Sequence, residues 1–205
     1  MGPETIVDDW ISLRHIGFTT IDSIIPNPIN PNQTYIFSGK HYVLIELPSY
    51  PGAGDDTLVY GPEESVFDWP ILPESPAGTY DVTFLSPVPP TNGSYAAYFF
   101  RGTEYTSFVF APNADGQGIT YSEAHTGAVI DTDWTSLNQA GFASLDMMIP
   151  TPDYGGKTLW LFSGAQYVRI SYDPGRMPPI WRYGVSTDLP YSRERRIKRS
   201  IARRA

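Results

Sequence analysis

The sequence predicts an all-β chain in which short strands are grouped into repeated units, the organisation of a β-propeller. Three observations predict it. Turn formers and aromatics are abundant, with 20 Pro, 18 Gly, 14 Tyr and 10 Phe in 205 residues. That mix suits short strands joined by many turns and suits long helices badly. One segment recurs at an offset of 124 residues, and an aromatic motif recurs three times. Repetition at a spacing of tens of residues marks stacked supersecondary units rather than one irregular core.

The first repeat runs from Asp9-Trp10-Ile11-Ser12-Leu13 through Gly17-Phe18 and Asp22 to Ile25-Pro26-Asn27-Pro28. It returns as Asp133-Trp134-Thr135-Ser136-Leu137, Gly141-Phe142, Asp146 and Ile149-Pro150-Thr151-Pro152, with ten of twenty positions identical. The second repeat has the pattern aromatic-x-Phe-x-Gly-x-x-Tyr and occupies 35–42, 98–105 and 160–167. Apolar residues flank a glycine in each copy, so each reads as a hairpin. An Asp precedes every hairpin (Asp22, Asp81, Asp146), and a Trp recurs in polar, helix-compatible segments (Trp10, Trp69, Trp134). One unit is therefore an Asp-bearing strand, a loop, a hairpin, and a short helical turn ending in Trp. Such a sheet cannot bury both faces alone, so neighbouring units must pack on it. Tyr35, Phe37, Phe100, Trp160 and Phe162 are expected to fill the space between sheets.

These residues resemble the hemopexin-like repeat: an Asp-bearing strand, an aromatic-apolar-Phe-polar-Gly-x-x-Tyr hairpin and a closing Trp helix. The resemblance covers about residues 3–183 and is closest to the single-domain plant and fungal members. It implies a propeller domain at 1–190, with three recognisable blades of the family's four. The piece from Glu4 to Leu13 looks like the closing helix of a blade that precedes the first. Open blade edges favour association, which makes a homodimer an expected partner.

The charge balance is uneven. The chain carries −8 overall, but residues 191–205 carry seven basic groups and one acid, leaving −14 on residues 1–190. An acidic body argues against phosphate-backbone binding by the main domain. The basic stretch reads as a separate C-terminal tail. The chain has no cysteine, which removes disulfides, thiolate nucleophiles and Cys-based zinc sites. That fits a cytoplasmic protein. The N-terminus has no signal-peptide pattern, and no apolar run is long enough to span a bilayer.

For chemistry, the family resemblance implies a cation, calcium or sodium, on the propeller axis at the Asp-bearing strand starts. The positions are Asp22, Asp81 and Asp146. The plainer reading is that each Asp bonds nearby backbone amides and pins its strand. Haem is the other cofactor of the family, and His15, His41 and His125 are the candidate ligands, although none is repeated. Single-domain plant relatives are associated with polyamines, and the acidic body would attract them. Tyr50, Tyr60, Tyr95, Tyr121 and Tyr154 fall outside the hairpin motif, in stretches read as loops, and are the candidates for stacking on a sugar. Asp8-Asp9 and Asp131-x-Asp133 precede the Trp segments and read as helix caps. No catalytic motif is present. The expected function is non-catalytic, metal-binding or other small-ligand binding, or docking of a protein partner. The alternative is a carbohydrate-binding, lectin-like defence protein.

Overall fold

Each aromatic motif folds as two antiparallel strands around its glycine. The computed structural model describes residues 5–48, 54–72, 80–86, 94–113, 118–151 and 158–171. The basic tail at 191–205 lies outside them. Register pairs Ser38 with His41, Arg101 with Glu104 and Ser163 with Gln166, so each hairpin turns on two residues. The first of these is Gly39, Gly102 or Gly164, at φ +58°, +56° and +56°. A two-residue turn needs that left-handed backbone to match strand twist, and glycine supplies it without a Cβ penalty.

The hairpins grow into three antiparallel sheets. The first is β1 (Ser23–Pro26), β2 (Gln33–Ser38), β3 (His41–Glu46) and β4 (Thr57–Glu64), in that order. The second is β5 (Val82–Leu85), β6 (Tyr95–Arg101), β7 (Glu104–Pro112) and β8 (Ile119–Val129). The third, over the described residues, is β9 (Met147–Pro150), β10 (Thr158–Ser163) and β11 (Gln166–Ser171). The first strands of successive sheets lie side by side, and the Thr83 hydroxyl donates to the Ile24 carbonyl at 2.9 Å.

Five short helices complete the described chain: α1 (Ile6–Asp9), α2 (Ile11–His15), α3 (Ser65–Asp68), α4 (Ile130–Asp133) and α5 (Thr135–Ala140). The Trp segments are α1, α3 and α4. Each has four residues and is closed by its Trp, whose N–H donates to the carbonyl of the helix's first residue. No helix among the described residues is long and apolar enough to cross a membrane.

The sheets stack through three apolar clusters. One holds Tyr35, Phe37, Tyr42 and Leu44 of the first sheet against Phe99, Phe108 and Phe110 of the second, with Trp69 between them. Another holds Phe84, Tyr98, Phe100 and Tyr105 against Met148, Leu159, Leu161 and Ile170 of the third sheet, with Trp134 between. The third packs Leu13 and Phe18 on Ile36, Val43 and Ile45, covering the outer face of the first sheet. Alternate residues of β2 and β6 therefore enter different clusters, as period-two strands with both faces covered must do. Trp69 meets six rings, in mostly edge-on or tilted geometry, at centroid distances of 5.0 to 6.3 Å. Tyr35, Phe37 and Phe100 lie between sheets as expected. Trp160 and Phe162 do not: they are only half-buried, on the outer face of the third sheet.

Candidate functional site

The three aspartates occupy identical positions. Asp22, Asp81 and Asp146 each donate their backbone N–H to a hairpin Phe carbonyl (Phe37, Phe100, Phe162), every time at 2.9 Å. Each carboxylate also accepts the N–H of its own hairpin glycine, at 2.6, 2.6 and 2.5 Å to Gly39, Gly102 and Gly164. A carboxylate so engaged clamps the strand start to the hairpin turn, which is the plainer of the two readings. Among the described residues no group of three or more His, Asp or Glu is placed to hold an ion.

The acids beside the Trp residues have a job that capping does not describe. Neither α3 nor α4 has a side-chain cap bond at its N-terminus. Instead Asp68 accepts the hydroxyls of Tyr42 at 2.7 Å and Tyr60 at 3.1 Å. Asp133 accepts the Tyr105 hydroxyl at 3.2 Å, and His125 Nε2 lies 3.4 Å from the same carboxylate oxygen. Burial, aided by the neighbouring carboxylate, holds both Tyr42 and Tyr105 well above the usual phenol range.

The histidines are dispersed. His15 ends α2, His41 opens β3, and His125 lies within β8 beside Tyr105. Tyr60, Tyr95 and Tyr121 are not loop residues. Tyr60 is in β4 and committed to Asp68; Tyr95 begins β6 against Phe110; Tyr121 is in β8 and 41% exposed. Tyr50 and Tyr154 lie outside the described residues.

A different set of residues forms a cleft at the hairpin end of the second sheet. Pairing of β7 with β8 slips between Tyr105 and Ser107, which oppose Ala128 and His125. Thr106 is thereby left opposite both Thr126 and Gly127, a β-bulge. The first sheet has the same slip, between Tyr42 and Leu44, at Gly61-Pro62. There the bulge is closed: a Cβ on Gly61 would sit 2.8 Å from the Tyr42 carbonyl oxygen. At Gly127 nothing lies within 4 Å of such an atom. The open bulge is lined by Tyr80, Phe99, Arg101, Glu104, Thr106, Thr126 and Gly127.

The cleft has a cavity volume of about 100 Å³, small beside typical ligand pockets, and is open to solvent. Its polar residues depart from the repeat. Where the second unit has Arg101, Glu104 and Thr106, the first has Ser38, His41 and Val43 and the third has Ser163, Gln166 and Val168. Tyr80 stands where the others have Ile21 and Leu145. Arg101 and Glu104 are direct cross-strand partners yet make no ion pair among the described residues. Burial raises the Tyr80 phenol to about 12, against an opposing pull from Arg101. The sequence held a signal for this site: at Tyr80, Arg101 and Thr106 the second copy of the motif breaks with the other two, and at Glu104 all three copies differ.

No protein-family model matches the chain, and no curated protein matches it. Solved structures do. A hemopexin fold protein, CP4, from cow pea superposes with a TM-score of 0.59 at 23% identity, covering 87% of this chain and 73% of that one. A plant lectin with two metal binding sites, from Cicer arietinum, gives 0.61 at 22% identity, over 93% and 78% of the two chains. A Cicer arietinum albumin showing hemagglutination gives 0.59 at 23%, over 96% and 80%. With its repeated Asp-pinned hairpins, its Trp-closed sheets and these likenesses, the chain is a protein of the hemopexin fold.

Proposed function

We propose that this chain is a non-catalytic binding protein, that its three sheets are consecutive blades of a hemopexin-like propeller, and that its ligand enters the cleft of the second blade. The observation that carries this reading is the coincidence of an open bulge with the one copy of the motif whose polar residues break the repeat. A cross-strand Arg and Glu without an ion pair leave a cation and an anion available at the rim. The hydroxyls of Tyr80, Thr106 and Thr126 and the ring of Phe99 supply directional bonds and an apolar floor. That is the usual composition of a small-molecule site. A shallow cleft of about 100 Å³ suits part of a small ligand better than haem.

The carbohydrate reading is favoured by the same aromatic floor under a hydroxyl-bearing rim. Two of the solved structures are described as a lectin and as an albumin showing hemagglutination. Calorimetry against spermine, hemin, calcium chloride and a panel of simple sugars separates the readings. The expected result is heat with at least one small ligand that disappears in Arg101→Ala/Glu104→Ala. Binding that survives this double substitution would move the site elsewhere, and silence across the panel would overturn small-ligand binding in favour of a protein partner.

A further inference from the structure

The charged pair at the cleft stands where an ion pair would be expected. Phe99 faces Thr106 across β6 and β7, and Arg101 faces Glu104 two residues further along the same side. Phe99 lies in the cluster around Trp69, so this is the side of the second sheet turned toward the first. Direct cross-strand partners have Cβ atoms about 5 Å apart, near enough for opposite charges to meet. Yet Arg101 and Glu104 form no ion pair, with each other or with any other described residue. The corresponding pairs are Ser38 with His41 and Ser163 with Gln166, so only the second unit carries both signs.

The two charges bracket the cleft. Arg101 acts on the Tyr80 phenol, which places the guanidinium on the Tyr80 side. Glu104 opens β7, the strand that borders the bulge at Thr126 and Gly127. Two buried residues add hydroxyls to the lining: Tyr80 is 6% exposed and Thr106 4%. Neither hydroxyl has a hydrogen-bond partner among the described residues. A nearly buried hydroxyl without a partner marks a place for a ligand or water to bond.

The charges discriminate between ligands. A simple anion would meet Arg101 but be repelled by Glu104, and a polyamine would meet the reverse. A neutral sugar would leave both charges without a counter-ion. A molecule with a carboxylate and an ammonium a few bonds apart satisfies both, and its carboxylate can also accept the Tyr80 and Thr106 hydroxyls. A cavity of about 100 Å³ suits such a head group, and the open mouth leaves the rest of the molecule in solvent.

We propose that the cleft of the second sheet binds the zwitterionic head group of an amino acid, with the carboxylate on Arg101 and the Tyr80 hydroxyl and the ammonium on Glu104. This rests on the reading of the cleft as a small-ligand site and adds the ligand's class and orientation. Recognition falls on the head group, so the amino-acid side chain has little influence.

The test is a titration of the full chain with L-alanine, N-acetyl-L-alanine and L-alaninamide, followed by the NMR amide signals of Gly102 and Gly127. N-acetyl-L-alanine lacks the ammonium and L-alaninamide lacks the carboxylate. Alanine should shift both signals. Each blocked probe should bind about tenfold or more weakly, the loss expected for one hydrogen bond to a charged group. Arg101→Gln should remove the preference for alanine over alaninamide, and Glu104→Gln the preference over N-acetyl-L-alanine, with circular dichroism to check folding. A blocked probe that binds the native chain as tightly as alanine would overturn the proposal, as would preferences untouched by both folded variants. Alanine silent while spermine or a simple sugar shifts the same signals would overturn it and leave the cleft a small-ligand site. Signals unmoved by every one of these ligands would overturn both readings.

Discussion

The Tyr42 hydroxyl donates to Asp68 at 2.7 Å, joining the third strand of the first sheet to the helix that places Trp69. The second sheet repeats the relationship with Tyr105 and Asp133 at 3.2 Å. Tyr–Asp hydrogen bonds therefore set where each Trp enters its sheet. A hydrogen bond to a charged group contributes about 1.5–3 kcal/mol. Tyr42→Phe should lower stability by an amount near that range while leaving the ring contacts with Trp69 in place. Urea unfolding followed by Trp fluorescence measures it, and a change within error would show the bond to be ornamental.

The same pairs set a pH dependence. Burial and the adjacent carboxylates raise the folded-state pKa of Tyr42 and Tyr105 above the unfolded value of about 10. The unfolded chain then releases phenolic protons that the folded chain retains, so stability is full below pH 10 or so and falls as pH rises beyond it. Tyr42→Phe and Tyr105→Phe should each flatten that alkaline loss in thermal melts between pH 8 and 11. An unchanged slope would mean these two phenols do not govern it.

The hairpin clamps predict a contrast between two substitutions at one site. Asp81→Asn keeps an oxygen to accept the Gly102 N–H, whereas Asp81→Ala removes it. The alanine variant should lose about 1 kcal/mol and the asparagine variant clearly less. Calcium should shift the melting temperature of both variants as it shifts the native chain, because the carboxylate serves its own turn. A calcium response that vanishes with Asp81→Asn would assign the carboxylate to an ion instead.

How much of this was legible depends on which interactions repeat. The hairpins, the pinning aspartates and the Trp helices were visible because one geometry recurs and each copy must satisfy it. Tyr60 was misread because Gly61-Pro62 interrupts the alternation that marks a strand; the bulge absorbs both residues and β4 continues. The motif tyrosines that bond Asp68 and Asp133, Tyr42 and Tyr105, lie 26 and 28 residues away across a folded sheet, so no local pattern could give them. Trp160 and Phe162 follow the motif faithfully, but burial belongs to the neighbour and not to the motif. The cleft was legible only by asking where the copies disagree.

Returning Thr106 to the residue of the other two units should weaken the cleft as a binding surface. Thr106 is 4% exposed and stands where the other units have Val43 and Val168. Thr106→Val exchanges a hydroxyl for a methyl of similar volume on the cleft floor. Stability should hold or rise slightly, because the apolar surroundings of Phe99 and Tyr80 favour the methyl. Ligand affinity should fall, since a directional group is lost from the binding surface while the fold is intact. Paired thermal melts and calorimetry read the two effects separately. A variant that is both destabilised and unaltered in binding would place the Thr106 hydroxyl in the scaffold, and the binding site would have to be sought away from the bulge.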